Sequence, residues 1–213
     1  MKFDSLLETV GSEPVFESSL LLAGEHDPGD VRRQLSRWVD AGRIHRLRRG
    51  LYSLAEPFRR TVPHPFLIAN RLRPGSYVSC QSALAWYGRI PEYVPMVTSV
   101  HHGRPARWTT TLGRFQVRHL KPDLMTGFEY LDLGQDQWGY VATPEKALLD
   151  LIHLTPGGDQ RPYLEELRLQ HLEEWDWDRL DRLVADADSP KLQRAASVLH
   201  ELSASDEYLF EDL

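Results

Sequence analysis

The chain has 213 residues, of which 41% are hydrophobic and 26% are charged, so it is long enough for one large or two modest domains and too apolar for bulk disorder. Its single cysteine excludes an internal disulfide framework, and the sequence contains no apolar run near the roughly 18 residues that span a bilayer. We therefore expect a soluble, cytoplasmic protein without a membrane partner, and the net charge of −6 argues at first against a nucleic-acid partner as well.

The first part of the chain predicts three helices. Residues 4–10 and 14–24 carry short helical patterns, each closed by a glycine. Asp27 and Pro28 then predict a capped third helix that ends near Ala41, because aspartate favours the cap position and proline the first helical position. The apolar stripe of this helix consists of Val31, Leu35, Trp38 and Val39.

A tight β-hairpin is predicted directly after the third helix. Two short β-runs, at residues 44–47 and 51–54, are joined by a turn through Arg48, Arg49 and Gly50. The glycine permits the positive φ that a tight turn requires. A helix followed by an arginine-tipped hairpin is typical of a winged helix-turn-helix, so residues 1–56 are predicted to form a DNA-binding domain of that kind.

The distribution of charge favours a DNA partner for this domain. Residues 32–60 contain nine arginines and two acidic residues, a net charge of +7, whereas residues 151–213 contain six basic and fifteen acidic residues, a net charge of −9. Since salt screens charges over about 10 Å, the acidic end does not cancel the basic block. The predicted base-reading residues share the polar face of the third helix: Arg32, Arg33, Ser36 and Arg37. The other predicted DNA-binding residues lie in or beside the hairpin: Arg43, Arg46, Arg48, Arg49 and Tyr52.

Two roles are expected for these side chains. The helix arginines would reach base edges, where an arginine pairs bidentately with guanine. The hairpin arginines would hold phosphates or enter the minor groove, which positions the domain without reading sequence. For Tyr52 two interpretations stay open, since its ring either contacts a sugar or phosphate or fills the core beneath the hairpin.

The second part of the chain predicts an α+β domain. Residues 57–65 contain three prolines and two arginines and are predicted to be a linker to a C-terminal domain of residues 66–213. In that domain we expect helices at 66–72 and 81–87, strands at 76–79, 96–100, 114–120, 128–133 and 139–142, and a helical region from about 143. The helical region comprises a helix that begins at Thr143 and Pro144 and further helices near 162–171, 176–186 and 189–203. The expected fold class is α+β, with a winged helix-turn-helix followed by a mixed α/β domain that ends in helices.

Motifs for metal binding or catalysis are weak. His101 and His102 are adjacent, so on a strand they would point to opposite faces, and the sequence contains no Cys-x-x-Cys or His-Glu-x-x-His spacing. Glu145, Lys146 and Asp150 resemble a catalytic group, but they fit better as part of a capped core helix. We therefore predict no metal, no cofactor and no enzymatic activity.

The alternative from another functional class is a defence-associated, metal-dependent nuclease with a winged-helix targeting module. Asp123 and Glu129 would be its metal-binding carboxylates. Such a site also requires a lysine beside an acid, and Glu129 is followed instead by Tyr130 and Leu131. A third interpretation keeps the winged helix as a protein-docking module that does not bind DNA.

The order of motifs along the chain resembles that of the AbiEi-type antitoxins, which are transcriptional regulators of viral defence. The matching segments are 42–52, 77–84, Gly88, 127–128 and 142–150, and the resemblance covers roughly residues 5–155. It implies that the N-terminal winged helix binds inverted repeats upstream of its own operon and represses that operon. It also implies that the C-terminal domain counters a nucleotidyltransferase-like toxin in a type IV toxin–antitoxin system, without a stable complex between the two proteins.

Overall fold

The computed structural model describes residues 2–22 and 27–211, with side chains described as far as residue 204. The helices are α1 (Phe3–Val10), α2 (Ser18–Leu22), α3 (Pro28–Asp40), α4 (Pro65–Leu72), α5 (Cys80–Trp86), α6 (Pro144–Leu154), α7 (Arg161–Glu166), α8 (Trp177–Ala187) and α9 (Pro190–Glu211). The strands are β1 (Phe16–Glu17), β2 (Ile44–Arg48), β3 (Leu51–Leu54), β4 (Tyr77–Val78), β5 (Met96–His101), β6 (Ala106–Thr110), β7 (Gly113–His119), β8 (Phe128–Asp132) and β9 (Trp138–Ala142). Across these ranges, none of the helices is both long and apolar enough to cross a membrane. The fold class is α+β, as the sequence predicts.

The elements α1–α3 and β1–β3 form an N-terminal unit around a small sheet. Its strand order is β1-β3-β2, and both pairings are antiparallel. The prediction of one helix over residues 14–24 is wrong at its start, because Phe16 pairs with Tyr52 and Glu17 with Leu51 before α2 begins at Ser18. The ring of Phe16 is buried, so this pairing overrides the helical pattern of the local sequence. The predicted end of that helix, at Gly24, lies outside the described residues.

Helix α3 begins and ends as its sequence predicts. The Asp27 carboxylate accepts hydrogen bonds from the backbone N–H groups of Gly29, at 2.8 Å, and Asp30, at 3.0 Å. Pro28 occupies the first turn, where its missing N–H costs nothing. The stripe packs inward, with Val31, Leu35 and Trp38 buried and Val39 partly buried against the same cluster. The polar face of α3 therefore points away from the core.

Loss of the α3 cap is expected to destabilise the N-terminal unit. Asp27→Ala removes the acceptor for two N–H groups and should lower the free energy of unfolding by about 1 kcal/mol. Asp27→Ser is the matched control, because a serine hydroxyl caps in the same way and should retain most of that stability. Urea titration followed by tryptophan fluorescence measures both variants. If the two variants unfolded at the same urea concentration, the side-chain cap would contribute nothing to stability.

The C-terminal sheet has six strands in the order β6-β7-β5-β4-β9-β8. The β5–β7 and β4–β9 pairs are parallel and the other pairs are antiparallel, so the sheet is mixed. The strands expected from the sequence are present, but β6 was missed. It is a short edge strand in which exposed Arg107 and Thr109 alternate with partly buried Trp108. The strand was not predicted because the nearby Gly103 and Pro105 are typical of a loop.

The helical region also departs from its prediction in two places. Helix α9, expected to end near residue 203, continues to Glu211. Helix α7 ends at Glu166 rather than near residue 171, and Arg168 and His171 then adopt positive φ angles of 47° and 55°. Helix α8 matches its prediction, with Asp176 accepting a hydrogen bond from the N–H of Arg179 at 2.8 Å. Helix α6 packs against β9 of the sheet, α8 packs on α6 and α9, and α7 packs on α9. Together these helices enclose the larger hydrophobic core.

Residues 57–65, predicted to be a linker, are in contact with both parts of the chain. The Phe58 ring packs edge-on against Phe3 of α1, with centroids 4.9 Å apart. At the other end of the segment, the Gln137 amide accepts from the N–H of His64 at 2.6 Å and donates to the carbonyl of Val62 at 2.9 Å. Strand β2 lies beside edge strand β6, and Leu47 packs in the larger core. The N-terminal unit is therefore attached along one edge of the six-stranded sheet.

Candidate nucleic-acid interface

The outer face of α3 carries the four residues predicted to read bases. Arg32, Arg33, Ser36 and Arg37 are all exposed. Arg33 forms an ion pair with Asp30, but both side chains are more than half exposed, so water and salt weaken the pair. In the part of the chain that the structure describes, neither Arg32 nor Arg37 forms an ion pair. Two guanidinium groups on this face are therefore available to a ligand.

The hairpin places two further arginines in solvent. Arg46 lies on the outer side of β2, and Arg49 lies in the turn between β2 and β3. The turn depends on Gly50, whose φ of 82° is unfavourable for residues with a side chain. The carbonyl of Gly50 accepts from the N–H of Ser18 at 2.9 Å, which ties the turn to the start of α2. The tip of the hairpin is thus held in place while its arginines remain exposed.

Arg48 is anchored within the protein and is not available as a phosphate ligand. One of its guanidinium nitrogens lies 3.6 Å from a carboxylate oxygen of Glu17 and donates to the carbonyl of Arg71 at 3.2 Å. The other donates to the carbonyl of Arg49 at 3.0 Å. Only 26% of the side chain is exposed. The prediction that Arg48 contacts DNA is therefore corrected. The residue instead fastens the hairpin to α4, the first helix of the C-terminal part.

Tyr52 also belongs to the core. Its exposed fraction is 9%, and its ring stacks on Phe16 with centroids 5.8 Å apart. Of the two interpretations that the sequence left open, the structure supports the core position, and Tyr52 is removed from the candidate interface. Arg43, by contrast, is exposed, with its guanidinium 5.0 Å from the centroid of the Phe3 ring. It lies just beyond the C-terminal end of α3, away from Arg32 and Arg33 at the other end.

A second basic segment beside the hairpin was missed. Residues 101–121 contain five lysines and arginines, three histidines and no acidic residue. Arg104, Arg107 and Arg114 are exposed on or next to the β6–β7 hairpin, whose edge strand β6 lies beside β2. The charge count of this segment alone would have identified it from the sequence. Its position next to the N-terminal unit depends on the packing of β2 on β6, which the sequence does not reveal.

Two histidines near the interface, His45 and His101, add little positive charge at neutral pH. Burial, together with the nearby charge of Arg59, lowers the pKa of His45 in β2. Burial also lowers the pKa of His101, and the nearby His102 and Arg73 side chains lower it further. Since each imidazole is already mostly neutral at pH 7 at its ordinary pKa, these shifts leave the arginines as the positive groups of the interface.

The two carboxylates considered for a nuclease lie on the surface, whereas Glu145, Lys146 and Asp150 are buried in the core. Asp123 is exposed in a short 3-10 helix, and Glu129 is exposed on β8, 3.7 Å from a guanidinium nitrogen of Arg179. Among the described side chains, the group spaced to hold a metal ion is His171, Glu173 and Glu174, which are all exposed and include neither nuclease candidate. The geometry therefore gives no support to a metal site at Asp123 and Glu129.

Lys146 and Asp150 form a buried ion pair one turn apart on α6. The Lys146 ammonium lies 2.6 Å from one carboxylate oxygen, and the other oxygen accepts from the hydroxyls of Ser79 at 2.7 Å and Tyr77 at 3.0 Å. Burial raises the pKa of Asp150, while Lys146 and the two hydroxyls lower it. Beside this network, burial and then Asp150 raise the pKa of the Cys80 thiol to about 12, so it stays protonated and unreactive.

Comparison of the sequence with models of known protein families and with curated proteins gives no match. We therefore infer function from the residues and their geometry.

Proposed function

We propose that the protein is a cytoplasmic, DNA-binding transcriptional repressor built on a winged helix-turn-helix. The observation that carries the proposal is the pair of exposed guanidinium groups, Arg32 and Arg37, on the outer face of α3, beside a hairpin that exposes Arg46 and Arg49. A helix and an adjoining hairpin that both present arginines match the major groove and the neighbouring phosphates of a duplex.

The order of elements supports the winged-helix assignment. The N-terminal unit runs helix, strand, helix, helix, strand, strand, and its two-residue β1 closes a three-stranded antiparallel sheet. In such a domain the third helix reads the groove and the hairpin contacts the backbone. Here α3 packs its apolar stripe inward and leaves its arginines outward, as that role requires.

Helix α3 and the hairpin would contribute to the free energy of DNA binding in different ways. Arg32, Arg33 and Arg37 would donate to base edges, with Ser36 as a smaller donor between them. Arg46 and Arg49 would neutralise phosphates and release counterions, which makes binding salt-dependent. Helix α3 and the hairpin pack in one hydrophobic cluster, which holds them side by side so that both sets of contacts can form together.

Titration of a labelled duplex from the region upstream of the gene tests this proposal. With Arg46 and Arg49 at phosphates, the logarithm of the binding constant should fall with the logarithm of salt concentration with a slope of about −2. Adding Mg²⁺ or Mn²⁺ to the same mixture separates a repressor from a nuclease, because a repressor leaves the duplex intact. Failure to bind any duplex at low salt would overturn the proposal and favour a protein-docking role for the N-terminal unit.

Arg49 and Arg48 are expected to respond differently to substitution. Arg49→Ala should weaken binding to all duplex sequences about equally and make the salt slope shallower by about one, because it removes one phosphate contact. Arg48→Ala should leave the slope unchanged and lower the melting temperature instead, since Arg48 bonds within the protein. Fluorescence anisotropy over a salt series and a thermal melt distinguish the two. An unchanged slope for Arg49→Ala would refute the placement of Arg49 at the phosphates.

We also propose that the C-terminal α+β domain acts as the antitoxin of a type IV system directed against a nucleotidyltransferase-like toxin. The support for this second part is the resemblance of segments 77–84 and 142–150 to the AbiEi-type antitoxins. In the structure these two segments meet, because Ser79 at the start of the first donates to Asp150 at the end of the second. Co-expression with the product of the neighbouring gene tests the proposal, and a neighbour whose growth inhibition is not relieved would contradict it.

A further inference from the structure

The β8–β9 hairpin exposes a row of aromatic rings on one face. Phe128 is 37% exposed, Tyr130 56%, Trp138 44% and Tyr140 45%. The rings are in mutual contact, with the centroid of Tyr130 lying 5.5 Å from that of Trp138 and 4.8 Å from that of Tyr140. Cross-strand pairing of Tyr130 with Tyr140 stabilises the hairpin, yet it leaves about half of each ring in water. A contiguous exposed aromatic surface of this kind marks an interaction site.

The same hairpin also offers an open sheet edge. Strand β8 is the last strand of the six-stranded sheet and pairs on one side with β9. Within residues 2–22 and 27–211, no strand pairs with its other side, which leaves the N–H and C=O groups there for an added strand. A segment that pairs with β8 would place alternate side chains on the aromatic face, because side chains alternate along a strand.

The turn end of the hairpin, beside Tyr130 and Trp138, is negative, whereas Arg179 and Arg182 of α8 lie beside Phe128 and Glu129 at the other end. Residues 127–142 contain Glu129, Asp132 and Asp136 and no lysine or arginine. All three acidic residues are exposed. Glu129 lies 3.7 Å from Arg179 of α8, whereas Asp132 caps the turn by accepting from the N–H of Gly134 at 2.8 Å. The ring face and its acidic border therefore attract cations.

This charge argues against two other occupants of the edge. Single-stranded nucleic acid stacks its bases on aromatic platforms, but those platforms lie in positively charged grooves. A second copy of the chain that paired β8 with β8 would bring the acidic residues of both hairpins together and repel itself. A cationic protein segment avoids both conflicts.

We propose that the β8–β9 hairpin binds an extended, arginine- or lysine-bearing protein segment, which adds as a strand to the edge of β8. Strand addition supplies main-chain hydrogen bonds, and side chains at alternate positions give specificity. The cationic heads lie over the rings of Tyr130 and Trp138 and pair with Asp132 and Asp136. This interaction uses no residue of the candidate DNA interface and stands independently of the proposed DNA binding.

Titration of the full chain with a short peptide that alternates arginine with valine tests this inference. Binding should quench the fluorescence of Trp138, weaken as salt is added, and be absent for a peptide that alternates glutamate with valine. Tyr130→Ala/Trp138→Ala should weaken binding about tenfold, since two cation–π contacts are lost. Isothermal calorimetry measures that loss, because the double variant lacks the reporting tryptophan.

Two further variants make the outcome decisive. Tyr93→Ala removes an exposed aromatic residue, 89% exposed, that lies outside the hairpin, and should bind the peptide as the wild type does. Asp136→Asn keeps the turn and removes one charge, so its affinity should fall at low salt and match the wild type at high salt. Absence of wild-type binding, equal binding of the glutamate peptide, or unchanged binding by the double variant would overturn the inference. Concentration-dependent self-association that Tyr130→Ala abolishes, or binding of a single-stranded oligonucleotide, would replace it with another occupant.

Discussion

Arg32→Ala/Arg37→Ala is expected to weaken binding to the operator duplex about a hundredfold, since each arginine at a base edge contributes about 1–3 kcal/mol. Both side chains are exposed, and the structure shows neither in an ion pair among the described residues, so the melting temperature should not change. Anisotropy titrations against the operator and a scrambled duplex measure the loss. The preference for the operator is the ratio of the operator affinity to the scrambled-duplex affinity. This ratio should fall by a larger factor than the scrambled-duplex affinity itself.

Two controls separate base reading from simple charge. Arg32→Lys/Arg37→Lys keeps the charge but loses the bidentate geometry, so it should restore scrambled-duplex binding without restoring preference for the operator. Arg182→Ala removes an exposed arginine from α8, far along the chain from the N-terminal unit, and should bind as the wild type does. If the alanine double variant bound the operator like the wild type, α3 would not be the reading element.

Asp150→Ala is expected to give the largest loss of stability, about 3–5 kcal/mol, because it leaves the buried Lys146 ammonium without its counter-charge. For a chain of this size that loss lowers the melting temperature by about 10 °C. The hydroxyls of Tyr77 and Ser79 lose their acceptor as well. Denaturant titration monitored by circular dichroism measures the change.

The pair can be examined by a double-mutant cycle. Lys146→Met/Asp150→Leu replaces both charges by apolar groups of similar volume and should be less destabilising than either single substitution. Asp181→Ala removes an exposed carboxylate that pairs with His200 at 2.9 Å, and should change stability by less than about 1 kcal/mol. If the double variant lost as much free energy of unfolding as the two single variants together, the buried charges would act independently.

Features set by neighbouring residues could be predicted from the sequence, and α3 is the clearest case. Its cap, its first-turn proline and its apolar stripe all lie within a few turns of one another, and the structure confirms each of them. The β1 strand shows the limit of that approach. Phe16 and Glu17 become a strand only because residues 51–52, far along the chain, supply the pairing partners.

The candidate interface was predictable in charge but not in detail. A register shift between Arg46 and Arg48 interrupts the alternation of side chains in β2, so the outward or inward direction of Arg48 could not be read by counting residues. Its actual partners, Glu17 and Arg71, come from distant elements. The hairpin arginines that remain exposed, Arg46 and Arg49, were among the predicted residues.

The two outer strands of the large sheet have opposite electrostatic character, and this affects how the molecule approaches a polyanion. The segment containing β6 carries five basic residues and no acid, and the segment containing β8 carries three acids and no base. Such a separation gives the protein a dipole, and the field of a duplex exerts a torque that turns the β6 side toward it before contact. For the proposed DNA binding, this orientation would enrich productive encounters even though the molecule as a whole is an anion.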